Sequence, residues 1–238
     1  MRLLILLSFL STVGYGQMSS MDYLPISGAG GATRFNSYTL GRKTSERLDY
    51  SEIKGSCFSD GDWSAALLVL IKGGNVKLKN VKLNLYSNDI HYLDDRGIEL
   101  VASAGITAII FFDKKDSTKV TSVFQRLAIP SEQNKEFFGQ VLAGKEIQLV
   151  KQFKISLVTE VDPVTSKSEY RFRTTSDYLI IDHKNISQLK GLNKASILSV
   201  IKPTKEQEEW LQSNKNKLKS EADAVAFIMY CNSAPQSR

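Results

Sequence analysis

One stretch constrains the fold of this chain more than any other. From Ile147 to Leu157 the apolar residues Ile147, Leu149, Phe153, Ile155 and Leu157 all fall on odd positions. The even positions hold Gln148, Val150, Gln152, Lys154 and Ser156. Side chains on a strand alternate between faces with period two, so the pattern predicts a long strand with one buried face and one wet face. Antiparallel sheets accept that arrangement, and parallel sheets, covered on both faces, do not. A strand of this length must also bend or coil, as sheets that curl over a core do.

Other segments extend the sheet. Trp63 to Ile71 is an apolar strand, and Gly73-Gly74-Asn75 is a turn, because Gly and Asn accept positive φ cheaply. The next strand slips phase: Val76 and Leu78 are even, whereas Val81, Leu83 and Leu85 are odd. A slip of one requires a bulge or tight turn near Asn80. Ile90 to Leu93, the turn Asp94-Asp95-Arg96-Gly97 and Ile98 to Val101 form a hairpin. Strands follow at Ile106 to Phe112, Val120 to Leu127 and Phe137 to Leu142, the last ending in the turn Ala143-Gly144-Lys145. Asp162-Pro163 ends the long strand, and Tyr170 to Thr174 and Tyr178 to Ile181 complete the sheet.

Beyond residue 190 the period becomes helical. Asn193 caps a short helix that Pro203 stops, and Thr204 with Gln207 forms a capping box for the next, which Trp210 and Leu211 anchor. Ser220 caps a third, with Asp223 as a weaker partner, in which Ala222, Val225, Ala226 and Met229 recur at i, i+3, i+4, i+7. Phe227, Ile228 and Cys231 lie off that stripe, so this helix should pack on more than one side. The fold class is mainly β or α+β: a curved antiparallel sheet, sandwich or half-barrel-like, followed by C-terminal helices.

The N-terminus sets an expected compartment. Met1-Arg2, the apolar Leu3 to Leu10 and the small-x-small Gly14-Tyr15-Gly16 read as a secretory signal peptide cleaved between Gly16 and Gln17. The apolar run is too short to span a bilayer, which takes ~20 residues. No Cys follows it, so no lipid anchor is expected, and no span is expected in the mature chain. The expected organisation is residues 1–16 leader, 17–50 loose lead-in, 51–190 antiparallel β domain and 191–233 helices packed on it. The protein would then work in the periplasm, at the outer-membrane periphery or outside the cell.

Composition adds little. The formal net charge is +6. The excess is spread over Lys72 to Lys82, Lys145 to Lys154 and Lys202 to Lys219, each mixed with other residues, as on a solvated surface. Attraction to anionic polysaccharide or headgroups is the sharper alternative. An exported chain can hold a disulfide, so Cys57 and Cys231 either bridge or stay as two buried thiols.

No motif selects a chemistry. His91 and His183 are the only histidines, and each reads as an edge or surface residue rather than a ligand or base. Gly28-Ala29-Gly30-Gly31 lacks the strand and helix that a phosphate loop needs. Asp60-Gly61-Asp62 lacks the remaining ligands of a calcium loop and reads as a turn. Tyr170-Arg171-Phe172-Arg173 interleaves aromatic and basic residues, but a half-buried strand writes the same string, and export argues against nucleic acid. Asn185-Ile186-Ser187 is a glycosylation sequon. No catalytic residue, cofactor or metal is assigned.

Four groups of residues carry a resemblance. They are Gly55-Ser56-Cys57-Phe58 with Trp63; Gly74-Asn75-Val76 running into Val81 to Tyr86 and Asn88-Asp89-Ile90; Phe137 to Leu142 with Gly144-Lys145 and Leu149 to Lys154; and Asn214-Lys215 with Glu221-Ala222-Asp223 and Tyr230-Cys231-Asn232. Over about residues 50 to 233 the chain resembles a group of uncharacterised exported proteins common in Bacteroidota-type bacteria. Cys57 departs from the small residue or Pro usual there. The resemblance implies a compartment and an architecture, and no established activity.

Two functions fit. One is a non-enzymatic envelope binding or accessory module, sheltering an apolar ligand on the concave face of the sheet or presenting an edge to an envelope component, apolar or glycan. The other is a carboxylate-dependent envelope hydrolase, needing two converging acids from a set such as Asp89, Asp94, Asp95 and Asp182, one with a raised pKa.

Overall fold

The structure, a computed structural model, describes residues 50, 53–103, 105–129, 135–161, 164, 166–183 and 185–233. The expected leader, the Gly16–Gln17 cleavage point, the Gly28–Gly31 turn and almost all of the lead-in lie outside the described residues.

The sequence pattern is realised as one ten-stranded antiparallel sheet, not closed, followed by three helices, with 50% strand and 17% helix. The strands are β1 (Ser64–Leu70), β2 (Asn75–Asn84), β3 (Asp89–Leu93), β4 (Glu99–Val101), β5 (Ile106–Phe112), β6 (Val120–Ala128), β7 (Glu136–Gly144), β8 (Ile147–Val161), β9 (Ser168–Asp182) and β10 (Asn185–Gln188). The helices are α1 (Lys194–Val200), α2 (Lys205–Ser213) and α3 (Glu221–Ser233). The spatial order is β10-β9-β8-β7-β6-β5-β1-β2-β3-β4. Every neighbour is joined by a hairpin except β5 and β1, so the chain starts mid-sheet, builds one edge, then crosses back to build the other.

The phase slip in β2 is a bulge. Ser64 faces Val81 and Ala66 faces Leu78, so one extra residue is accommodated around Lys79 and Asn80. The bulge keeps Val76 before it and Val81, Leu83 and Leu85 after it in the same core. That core also takes Ala66, Leu68, Ile90, Tyr92, Leu100, Ile109, Phe111, Phe124 and Phe138, with Phe153 and Ile155 of β8 packed against it. Strands far apart in the sheet order thus share one cluster, which requires the sheet to curl. Its inner face carries that buried cluster.

The long strand follows its odd-face pattern only in part. Leu149 meets the helices, while Phe153 and Ile155 meet the main core. The even face is not wet at its start. Val150 is fully buried with Leu127, Ile129, Phe137, Leu179 and Ile181, and Gln152 is only 6% exposed. Periodicity cannot show this, because the cover comes from strands distant in sequence. The two short strands expected at Tyr170 to Ile181 form one, β9, paired with β8 in register from Ile147–Asp182 to Val161–Ser168.

The helices carry the caps that the sequence indicates. Asn193 Oδ1 accepts from Ser196 N, and Thr204 and Gln207 complete a capping box. In α3 the buried stripe is Ala224, Phe227, Ile228 and Cys231, not Ala222, Val225, Ala226 and Met229. Both sets have helical spacing. The larger Phe227 and Ile228 win the contact with Leu149 and Ile180. The Cys57–Cys231 bridge does not form. Both are free, buried thiols, Cys57 beside β2 and Cys231 in the helical cluster.

Candidate functional site

The curl leaves a seam between β9 and β2, and residues 53–59 cross it as a strap. Lys54 donates its N–H to the carbonyl of Tyr170 at 2.9 Å and accepts from Phe172 N at 2.9 Å, a short parallel bridge to β9. At its other end the strap joins β2: Leu85 N donates to Cys57 O at 2.8 Å, and Ser59 N to Leu83 O at 2.9 Å. Gly55 permits the crossing. Its φ is +87°, and a Cβ there would stand 3.2 Å from the Phe172 carbonyl oxygen.

Aromatic rings fill the seam. Tyr50 meets Phe172 edge-on at 5.6 Å and Phe58 at 6.4 Å, Tyr86 lies 5.4 Å from Phe172, and Phe58 lies 5.5 Å from the His91 ring. Lys82 caps the cluster, with its ammonium 4.6 Å from the centre of Trp63 and 5.2 Å from that of Phe58. Asn84 is fully buried and holds the β2–β3 turn: its Oδ1 accepts from Tyr86 N and Ser87 N, and its Nδ2 donates to Tyr50 Oη. Burial pushes the Tyr50 phenol and the Cys57 thiol above their ordinary pKa values. Cys57 is therefore a neutral thiol, not a nucleophile. Burial does the same to Cys231, pushed up to about 11.

Past the seam, β8 and β9 run on as an overhanging arm. β8 pairs with β7 only over Gln148 to Lys151. One face of the arm carries apolar residues into solvent: Leu157 is 41% exposed, Tyr170 53% and Val161 62%, with Val164 in the turn 89% exposed. Tyr86, beside Phe172, extends the patch. The opposite face is charged and internally paired. Glu160 accepts from Arg171 at 3.0 Å and Arg173 at 3.4 Å, and Lys154 pairs with Asp177 at 2.8 Å. The Tyr170–Arg173 string is thus strand alternation, with rings toward the seam and guanidiniums on Glu160. The overhang follows from strand length: β7 has nine residues, whereas β8 and β9 have fifteen each.

A second polar cluster sits under α3. Glu221 Oε2 accepts from Lys151 Nζ at 2.9 Å and Tyr178 Oη at 2.8 Å. Burial works against ionising Glu221, but these two bonds outweigh it and hold the carboxyl below its ordinary range. Burial likewise opposes the Lys151 ammonium, and Glu221 overrides it, raising that pKa. Tyr178 is raised by burial and by the Glu221 charge. The cluster fastens a helix to the sheet.

The acids suggested for hydrolysis do not converge. Asp94 closes the β3–β4 turn, accepting from Ile98 N and Arg96 N, and those bonds lower its pKa. Asp89 is the first residue of β3, Asp95 lies in the β3–β4 turn, and Asp182 ends β9 beside His183, far along the strand from the arm. Asp62, Asp113 and Asp116 are also lowered, by Lys114, by Lys115 N–H and by Thr118 respectively. His91, expected as an edge or surface residue, is instead buried, with the Phe58 ring packed edge-on against it, and is bonded through Nδ1 to Glu99 at 2.7 Å. His183 is exposed on Asp182, whose hydrogen bond raises its pKa. Among the described residues no three His, Cys, Asp or Glu side chains gather as a metal site, and no helix is long and apolar enough to cross a membrane. Asp60-Gly61-Asp62 is a turn before β1, with Asp62 on Trp63 N and Lys114.

No family model, curated protein or solved structure matches this chain.

Proposed function

We propose that the chain is an exported, envelope-associated accessory module that binds without catalysis, and that the β8–β9 arm is its contact element. The observation that carries this reading is the apolar stripe Leu157, Val161 and Tyr170, exposed on one face of an arm whose base is rigidly paired. Apolar residues clustered on one exposed face mark contact surfaces more often than scattered ones do. Tyr170 and Tyr86 add ring faces with polar tips, suited to an apolar segment or a sugar face. Export rests on the Met1–Gly16 leader, and the resemblance to exported bacterial proteins agrees with it. Among the described residues, Asp89, Asp94, Asp95 and Asp182 offer carboxylate hydrolysis no converging pair.

Fractionation of producing cells tests the reading. The wild-type chain should start at Gln17 by intact mass and sediment with envelope. Leu157→Asp/Tyr170→Asp should move to the soluble fraction with an unchanged thermal midpoint. A double variant that stays with the envelope, or a mature chain that keeps Met1, would overturn it.

A further inference from the structure

Among the described residues the arm also has an edge without a ladder partner, and the strap fixes its backbone direction. Tyr170 O and Phe172 N bond the strap, so the main-chain polar groups of even β9 residues point away from β8. The odd residues Glu169, Arg171 and Arg173 therefore bond β8, opposite Glu160, Val158 and Ser156. It follows that in β8 the even residues face β9. Ile155, Leu157 and Thr159 aim N–H and C=O at the other side. Among the described residues Ile155 to Val161 has no ladder partner there, since β7 leaves β8 after Lys151. The segment contains no Pro or Gly to interrupt pairing.

We infer that this edge pairs with the same edge of a second copy, antiparallel and centred on Leu157, making a symmetric dimer through a continuous sheet. The inference extends the binding reading, but it uses the edge of the arm where that reading uses its face. Charge selects the register. Centring on Leu157 places Leu157 opposite itself, Ile155 opposite Thr159 and Ser156 opposite Val158. It also sets Lys154, which pairs with Asp177, opposite Glu160 of the other copy, which pairs with Arg171 and Arg173, so that the two exposed ion-pair networks join across the edge, twice by symmetry. Each odd residue meets an odd residue, so outward N–H groups meet outward carbonyls. Centring one residue on, at Val158, would also match the backbone, but it would set Glu160 opposite Ser156 and forgo both charge pairs.

Two substitutions isolate the edge. Thr159→Pro removes a donor that points away from β9, so the β8–β9 ladder keeps its bonds while edge pairing is blocked. Leu157→Cys places two thiols on a self-opposed pair, with Cα atoms about 5.5 Å apart, within disulfide reach. Val161→Cys is the control, because in this register its two copies lie roughly 27 Å apart at ~3.4 Å per residue. The native thiols Cys57 and Cys231 are buried and do not compete.

The mature chain should sediment as a dimer in analytical ultracentrifugation. Thr159→Pro should weaken dimerisation roughly tenfold or more, the scale of a central contact. Oxidation or a short bis-methanethiosulfonate should link Leu157→Cys and not Val161→Cys. A monomeric wild type at about 100 μM, well above the ~1 μM range of a specific interface, overturns the inference; so does linkage of Val161→Cys as fast as Leu157→Cys. The two readings fail separately. A monomer whose envelope binding still needs Leu157 and Tyr170 removes the dimer alone. A Leu157-linked dimer whose envelope binding ignores the Asp substitutions removes the contact reading alone.

Discussion

Asn232 should be the most consequential polar side chain of the helical tail. It sits in the last turn of α3, and its carboxamide makes four bonds. Oδ1 accepts from Glu146 N and Ile147 N, both at 3.0 Å, and Nδ2 donates to Ile147 O and Ile228 O, both at 2.8 Å. One amide thus ties α3 to the β7–β8 turn. In Asn232→Ala the exposed Glu146 N–H finds water at little cost. The other three bonds are part-buried, and losing each costs about 1 kcal/mol, so the variant should lose about 2–3 kcal/mol. For a fold of this size that lowers the melting midpoint by roughly 5–10 °C. Urea unfolding followed by far-UV dichroism measures it. In a Trp63→Phe background, fluorescence then reports Trp210, which stacks on Tyr230 of α3 at 4.7 Å. The helical signal should unfold earlier in Asn232→Ala than in the parent. Ser233→Ala, next in sequence and bonded only to the exposed Tyr230 carbonyl, should stay within ~0.5 kcal/mol. If the two variants are equally stable, the tail is held by apolar packing alone and the bonding argument is wrong.

Two further outcomes follow from the same region. Gly144→Ala should destabilise by at least about 2–3 kcal/mol, because φ is +111° and a Cβ would fall 1.8 Å from Ile147 O. Gly73→Ala, at φ +85° with open space around it, should cost only ~1 kcal/mol, and comparable losses at both sites by thermal melting would refute the steric reading. Glu221 is held below its ordinary pKa, so its contribution is present at neutral pH and disappears as pH falls through the folded-state value. Lys151 and Tyr178 are raised, so their contributions are lost in the alkaline range above about pH 10. Melting midpoints against pH should show a shallower acid limb for Glu221→Gln than for wild type. Parallel acid limbs would show that Glu221 is not coupled to folding.

Local patterns in the sequence were reliable wherever a single element set its own geometry. The β2 phase slip meant a bulge because period-two alternation cannot otherwise keep Val76 and Val81 on one face. The Thr204–Gln207 box marked a helix start because both partners lie within one turn. Where cover came from afar, the reading failed. Val150 is buried by Leu127 and Ile181, which nothing near β8 announces. The stripe of α3 was misplaced because two faces shared the right spacing, and only the shape of Leu149 and Ile180 decides between them. The strap was illegible for the same reason: nothing near Gly55 announces Phe172, which arrives from more than a hundred residues away. The Tyr170–Arg173 string was read correctly as strand alternation, yet the exposure of Tyr170 depends on how far β7 runs beside β8.

That last dependence is what gives the arm its weight. A single exposed leucine or tyrosine on a soluble domain needs no explanation. Here Leu157, Val161 and Tyr170 share one face of one hairpin, and among the described residues the same hairpin leaves the backbone groups of Ile155, Leu157 and Thr159 without a ladder partner on the side away from β9. Other parts of the sheet are covered. The chain lays α1–α3 over the base of β8 and β9, and it stitches the seam with residues 53–59. It keeps the sheet-edge strands β4 and β10 to three and four residues. Phe153, Ile155 and Phe172 tie the base of the overhang to the main core and the strap, whereas trimming the hairpin beyond them would remove Leu157, Val161 and Tyr170 without touching that core or the helical cluster around Leu149. The tip of the overhang is therefore not demanded by the packing that holds the fold, and its chemistry is better explained by what it meets than by what it supports.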